Sequence, residues 1–233
     1  MTTVSHLTPT RPRSTWVFRL GLVLWATLLG VQCIWLVSAE LVRPGMIQMP
    51  TDKLTAAAAA RHSEAVDRAA SIGVIRGDLW AEAAFTHAES LWGGAESLSD
   101  SPRAPAVLER AAHDAPYRSD VWLMVAGLAQ RFASTGFDPT EALRMSYYTG
   151  SSEMRLVPFR LMIAIKRDEF DDAELHEFIS HDIRLLLDRR QIAPITDAYM
   201  GASAKGKNFL VQTVRDIDPS ALSAVRKEAP VAD

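Results

Sequence analysis

The chain has 233 residues, a formal charge of −3, 23% charged side chains and 48% hydrophobic ones. This is ordinary globular composition, and the near-zero net charge gives no electrostatic reason to expect a nucleic-acid partner. A single cysteine, Cys33, excludes an intramolecular disulfide, so the fold must rest on its core, which a chain of this length can supply.

Residues 1–15 read as a short basic tail. Arg11 and Arg13, with Arg19 just beyond, have no acidic residue to balance them. The run LGLVLWATLLGVQCIWLVSA (20–39) holds no charge, and as a helix it is about 30 Å long, the thickness of a bilayer's hydrocarbon core. Trp16 and Trp35 fall near the two expected interfaces. A single transmembrane helix over 16–39 is therefore expected. The charge asymmetry puts the N-terminus in the cytoplasm and everything beyond residue 40 on the far side. Alanine-rich composition and the basic tail suit a bacterial inner-membrane protein with a periplasmic domain. Val37-Ser38-Ala39 offers the small residues a signal peptidase needs, so secretion after cleavage near Ala39 stands as the alternative. The apolar run exceeds the usual signal-peptide core of about 7–15 residues, which favours an uncleaved anchor.

A linker over 40–53 follows, with Pro44, Gly45 and Pro50 as helix breakers. Helices are then predicted over 55–71, 77–92, 105–114, 119–134, 138–148, 152–167 and 171–190, with two weaker segments near 195–217. A C-terminal tail occupies 219–233. The starts carry physical signatures: Asp138 before Pro139 with Glu141, Ser152 with Glu153, and Asp171, Asp172 and Glu174. Gly150 stands where a helix should stop. No segment alternates with a strand period for long. The expected fold is all-α, with a helical-repeat domain over 54–218.

Two stretches echo each other without a gap. AASIGVIRGDLWAEAA (69–84) and AAHDAPYRSDVWLMVA (111–126) share Arg76/Arg118, Asp78/Asp120 and Trp80/Trp122. The adhesion-like tripeptide Arg76-Gly77-Asp78 thus reads as a repeat boundary, with Ser119 as the counterpart of Gly77. In this reading the aspartates serve the positive helix start and the tryptophans the hairpin core. A weaker third copy has Gly150 for Pro116 and Glu153 for Asp120. A period of roughly 33–42 residues indicates stacked helical hairpins. LERAAHDAP (108–116) and SDVWLMVAGLAQ (119–130) resemble the second and first helices of a tetratricopeptide repeat, with Trp122 early and small Ala126 at the crossing. The resemblance spans roughly 55–195. It departs from the family in the long loop at 93–104, in Gly150, and in Arg155 at the third tryptophan position. It implies an irregular array of αα-hairpins with a surface for a protein partner.

No residue is singled out for catalysis, cofactor binding or metal binding, and no cofactor is expected. GASAKGKN (201–208) matches a phosphate-loop spacing, with Lys207 in the lysine position. Asn208 replaces the required Ser or Thr, and no strand precedes it. His176 and His181 are five apart and diverge on a helix, unlike a zinc pair. Cys33 lies inside the membrane segment. Met145, Tyr147, Tyr148 and Phe159 read as inter-hairpin core before groove. The functional expectation is a membrane-anchored envelope scaffold that binds a protein partner, by analogy in polysaccharide assembly or secretion. The alternative is a periplasmic all-α hydrolase or lytic enzyme using an acid such as Glu82, Glu89 or Glu109.

Overall fold

The apolar run forms one continuous helix. In a computed structural model, which describes residues 14–89, 104–132, 135–166 and 172–228, α1 extends over Ser14–Val42. None of its most apolar window is covered by the rest of the chain, so its side chains are not those of a buried core helix. It has the length and composition of a membrane anchor or a signal sequence.

Every other described element is also a helix: α2 (Lys53–Ala60), α3 (Ser63–Ile72), α4 (Gly77–Phe85), α5 (Ala104–Asp114), α6 (Ser119–Arg131), α7 (Pro139–Gly150), α8 (Val157–Ile165), α9 (Ala173–Asp188), α10 (Ile192–Gly201), α11 (Ala204–Ile217) and α12 (Ala221–Glu228). Their starts follow local chemistry. Asp52 and Thr55 form a reciprocal capping box for α2. Asp138 accepts from the backbone N–H groups of Thr140 and Glu141, with Pro139 in the first turn of α7. Asp172 does the same for Glu174 and Leu175 at α9, and Ser203 for Gly206 at α11.

Helices α4 with α5 and α6 with α7 are the most closely packed neighbours. Their cores mix alanine with large residues. Ala81, Ala84, Ala111 and Ala126 let backbones approach, while Leu79, Phe85, Leu108, Leu123, Met124 and Leu128 fill the space between them. Beyond α7, α8 packs more extensively on α10 than on α9.

Several boundaries differ from the sequence reading. The expected helix over 55–71 breaks at Arg61–His62, where helix-forming residues give no warning of a turn. The α-helix expected over 77–92 ends at Phe85, followed by a turn and a short 3₁₀ stretch as far as residue 89; residues 90–92 lie outside the described residues. The helix expected from Ser152 starts at Val157, so Ser152 and Glu153 do not open it. An earlier start would bury Pro158 in the interior, without an N–H for the carbonyl four residues back. The tail at 219–233 contains α12, whose Ala221 and Val225 are buried. The linker at 40–53 is no free spacer. The first helix runs on to Val42, and Met49 sits in the core.

Candidate functional site

The two Arg-x-Asp-x-Trp units adopt one geometry. Arg76 and Arg118 are extended residues just before α4 and α6, and neither helix start has a side-chain cap. Each guanidinium forks onto the aspartate two residues on. Arg76 Nε and Nη2 donate to Asp78 Oδ1 and Oδ2 at 3.1 and 2.5 Å, and Arg118 does so to Asp120 at 3.0 and 2.6 Å. Both carboxylates therefore lie in the first helical turn, neutralised by the preceding arginine. Burial pushes the Asp78 carboxyl up, but the Arg76 fork outweighs it and holds it below the usual carboxylate value. Each indole N–H closes the turn before its helix, Trp80 Nε1 on the Val74 carbonyl (3.0 Å) and Trp122 Nε1 on the Pro116 carbonyl (2.7 Å). The tryptophans are thus half-buried at the core's edge, where the indole N–H has a carbonyl to reach, not inside it.

Backbone closeness explains the Gly77/Ser119 pair. A Cβ on Gly77 would run into the backbone of Asp114 and Ala115 at the end of α5. At α6 the absent side chain is on the other partner, since a Cβ on Gly150 would meet the Ser119 side chain. Each hairpin closes start-to-end with one side chain missing.

These units also hold α1. Trp35 Nε1 donates to the Ile72 carbonyl at 2.7 Å, and Ala39 is fully buried. Glu40 pairs with Arg76 (2.5 Å) and Arg43 (3.2 Å). Arg43 reaches on to Glu82, donating through Nε at 2.9 Å and through Nη2 to the other carboxylate oxygen. Glu82 is 2% exposed, so this fork satisfies a buried charge. Arg155 extends the chain of contacts, lying 3.6 Å from Asp120 and donating to the Met49 carbonyl at 3.3 Å. The end of α1, the segment after it and both Arg-x-Asp-x-Trp turns form one ionic collar.

A second polar network lies wholly inside. Arg160, fully buried, donates to the Ser146 hydroxyl (3.0 Å) and to the carbonyls of Ser146 (2.6 Å) and Gly150 (2.8 Å), capping the end of α7. Ser146 in turn donates a hydrogen bond from its hydroxyl to the Ser119 carbonyl. The Arg160 guanidinium lies over the Tyr147 ring at 4.7 Å, and the Tyr147 hydroxyl donates to Asp182 at 2.9 Å. Burial pushes the Asp182 carboxyl up to about 7, against the opposing pull of Tyr147 and Arg160. Neither Arg160 nor Asp182 was singled out from sequence. A signal existed: Asp182 falls on the stripe Leu175, Ile179, Ile183, Leu186, and Arg160 stands alone within VPFRLMIAI.

Open grooves mark the described surface. One, of about 310 Å³, lies between the C-terminal ends of α6 and α8, with Phe159, Met162 and Ile163 as floor and Gln130, Arg131 and Lys166 as rim. Another follows the segment after α1, from Met46 to His62 and Arg155. In a third, Glu109 and His113 stand with Trp122 and Phe137. The groove-or-core question resolves differently by residue. Tyr147 is buried and stacked on Phe178, Tyr148 is exposed and donates to Glu174, Met145 is half-buried, and Phe159 is a buried residue that also floors the first groove.

The remaining candidates take structural positions. Lys207 lies in the first turn of α11 over the Tyr199 ring, and Gly206 is pressed against the Ile165 carbonyl, so the phosphate-loop spacing is a helix–helix contact. His176 stacks on Phe209 while His181 is exposed. Among the described residues no three His, Cys, Asp or Glu side chains cluster as a metal site. Of the acids named as catalytic candidates, Glu82 is held by Arg43, Glu109 lies at a groove and Glu89 is half-buried. No family model, curated protein or solved structure matches this chain.

Proposed function

We propose that this protein is a membrane-anchored scaffold whose helical domain, built on TPR-like hairpins, captures an envelope protein on the outer side of a cytoplasmic membrane. The groove between α6 and α8 carries the reading. Its apolar floor and its rim of Arg131 and Lys166 suit an apolar peptide segment flanked by acidic residues. The basic tail before α1 supports an inward N-terminus, and the paired α4–α5 and α6–α7 helices with matching starts support the repeat. A partner in polysaccharide assembly or secretion is the class this arrangement suits by analogy.

A photo-crosslinking residue at Met162 in intact cells tests it. The expected result is one reproducible envelope-protein adduct that disappears when Arg131→Glu and Lys166→Glu reverse the rim. Turnover of a cell-wall substrate by the purified protein, abolished by Glu109→Gln and with no adduct formed, would replace the scaffold with the hydrolytic reading.

A further inference from the structure

The turn between α3 and α4 presents two exposed apolar side chains. Val74 is 46% exposed and Ile75 is 71% exposed, although both lie within a few residues of the collar. Their position along α1 is fixed by a hydrogen bond. Trp35 Nε1 holds the Ile72 carbonyl at 2.7 Å, so the α3–α4 turn lies alongside Trp35 and not beyond the end of the helix.

Two frames set the depth of Trp35. If Trp16 and Trp35 mark the two aromatic belts, about 28 Å of helix separates them, and Trp35 is at the outer edge of the hydrocarbon. If the charge-free run from Leu20 to Ala39 is centred instead, Trp35 lies about 6 Å inside that edge. Both frames put the Ile72 carbonyl at or below the boundary, and Val74 and Ile75 follow within three residues.

Polarity around the turn is graded accordingly. Glu40, the first charge after the apolar run, comes about 7.5 Å further along the helix than Trp35, and it is there that Arg76 and Arg43 gather. On the flank, Arg110 reaches the Val74 carbonyl at 3.1 Å with its guanidinium 5.7 Å from the Trp80 ring centre. An arginine beside a tryptophan, flanking an exposed apolar turn next to a charged layer, is the amphipathic order of a bilayer interface.

We infer that the α3–α4 turn is a second membrane contact, with Val74 and Ile75 inserted into the outer-leaflet interface beside Trp35. This rests on the anchor reading of α1 and adds to it: the domain lies against the bilayer in one orientation instead of swinging from a tether. Inserting two apolar side chains next to an existing span adds contact at no further translational cost, since α1 already confines the domain there.

The test uses the full chain with Cys33→Ser, reconstituted in vesicles of phosphatidylethanolamine and phosphatidylglycerol whose lipids carry nitroxides at both shallow and deep positions along the acyl chain. An environment-sensitive fluorophore is attached in turn through Ile75→Cys, Val74→Cys, Val31→Cys and Tyr117→Cys. Val31 is within α1, and Tyr117 is the exposed equivalent turn of the next unit. The expected result is lipid quenching at 75 and 74 approaching that at 31, with none at 117. If 31 is quenched by lipid while 75 and 74 respond only to aqueous iodide, the turn faces water and the inference is overturned. If 31 itself escapes lipid quenching, the anchor reading has failed and the inference falls with it.

Discussion

At Gly77 the chain tolerates no side chain, because a Cβ would overlap the backbone of Asp114 and Ala115 and neither helix end can move without opening the hairpin. Gly77→Ala is expected to destabilise the fold by about 1–3 kcal/mol, read as a lower urea midpoint at unchanged slope. Gly201, with open space where its Cβ would project, is the control: Gly201→Ala should be neutral or stabilising by up to about 1 kcal/mol. The match of the adhesion-like tripeptide to the stretch Arg118-Ser119-Asp120 was legible in sequence. The reason for the glycine was not, since it depends on a neighbour 37 residues on (114 − 77) across a packed interface. Asp182 gives the pH behaviour. Its folded carboxyl titrates near 7, well above the usual value of about 4, so between those values the folded state holds a proton that the unfolded chain has released. Stability contributed at this site is therefore greatest at low pH and is lost as pH rises from about 4 to about 7. Thermal melts should show this fall, and Asp182→Asn should flatten it across that window while the contributions of the other carboxylates remain.

Helix existence was readable from composition, capping residues and the absence of strand alternation; helix ends were readable only where a local side chain sets them. Asp138 and Asp172 cap within their own turns, and the starts of α7 and α9 lie within two residues of the expected ones, whereas α2, capped by Asp52, opens at Lys53, two residues before the expected start at 55. The break at Arg61–His62 and the early end of α4 have no such marker and follow from tertiary packing. The Arg-x-Asp-x-Trp echo was legible because its three residues act within one turn. What sequence alone could not assign was the tryptophan's task, which is to tie down the carbonyl six residues back. Trp80→Phe or Trp122→Phe keeps the ring and removes that hydrogen bond, leaving a turn carbonyl less well satisfied. Each should cost about 0.5–1.5 kcal/mol in chemical denaturation. Because Arg110 also donates to the Val74 carbonyl, while among the described residues no second donor reaches that of Pro116, Trp122→Phe should be the costlier of the two.

The molecule as a whole depends on how α1 leaves its apolar run. A cleavable signal is cut in an accessible, unwound segment, and Val37-Ser38-Ala39 has the small residues that such a site needs. Here those residues are helical, Ala39 is fully buried, and the helix runs on for three residues (42 − 39). Opening it would also break the Trp35–Ile72 hydrogen bond and disturb Arg43, whose fork is the counter-charge of buried Glu82. Removing one member of such a buried pair typically costs about 3–5 kcal/mol, so Arg43→Ala should strongly lower the melting temperature, and Glu82→Gln should recover part of the loss by discharging the orphaned carboxylate. Competition between folding and cutting then sets the outcome in cells. In the wild-type chain the folded collar shields Ala39, and intact-mass analysis of the membrane fraction should find residues 1–39 still attached. In Arg43→Ala the collar is weakened, and a fraction beginning at Glu40 should appear, which Glu82→Gln reduces. Quantitative removal of residues 1–39 from the wild-type chain would mean that export and cutting precede docking of α1 on α3, and that the collar forms without the helix it is built around.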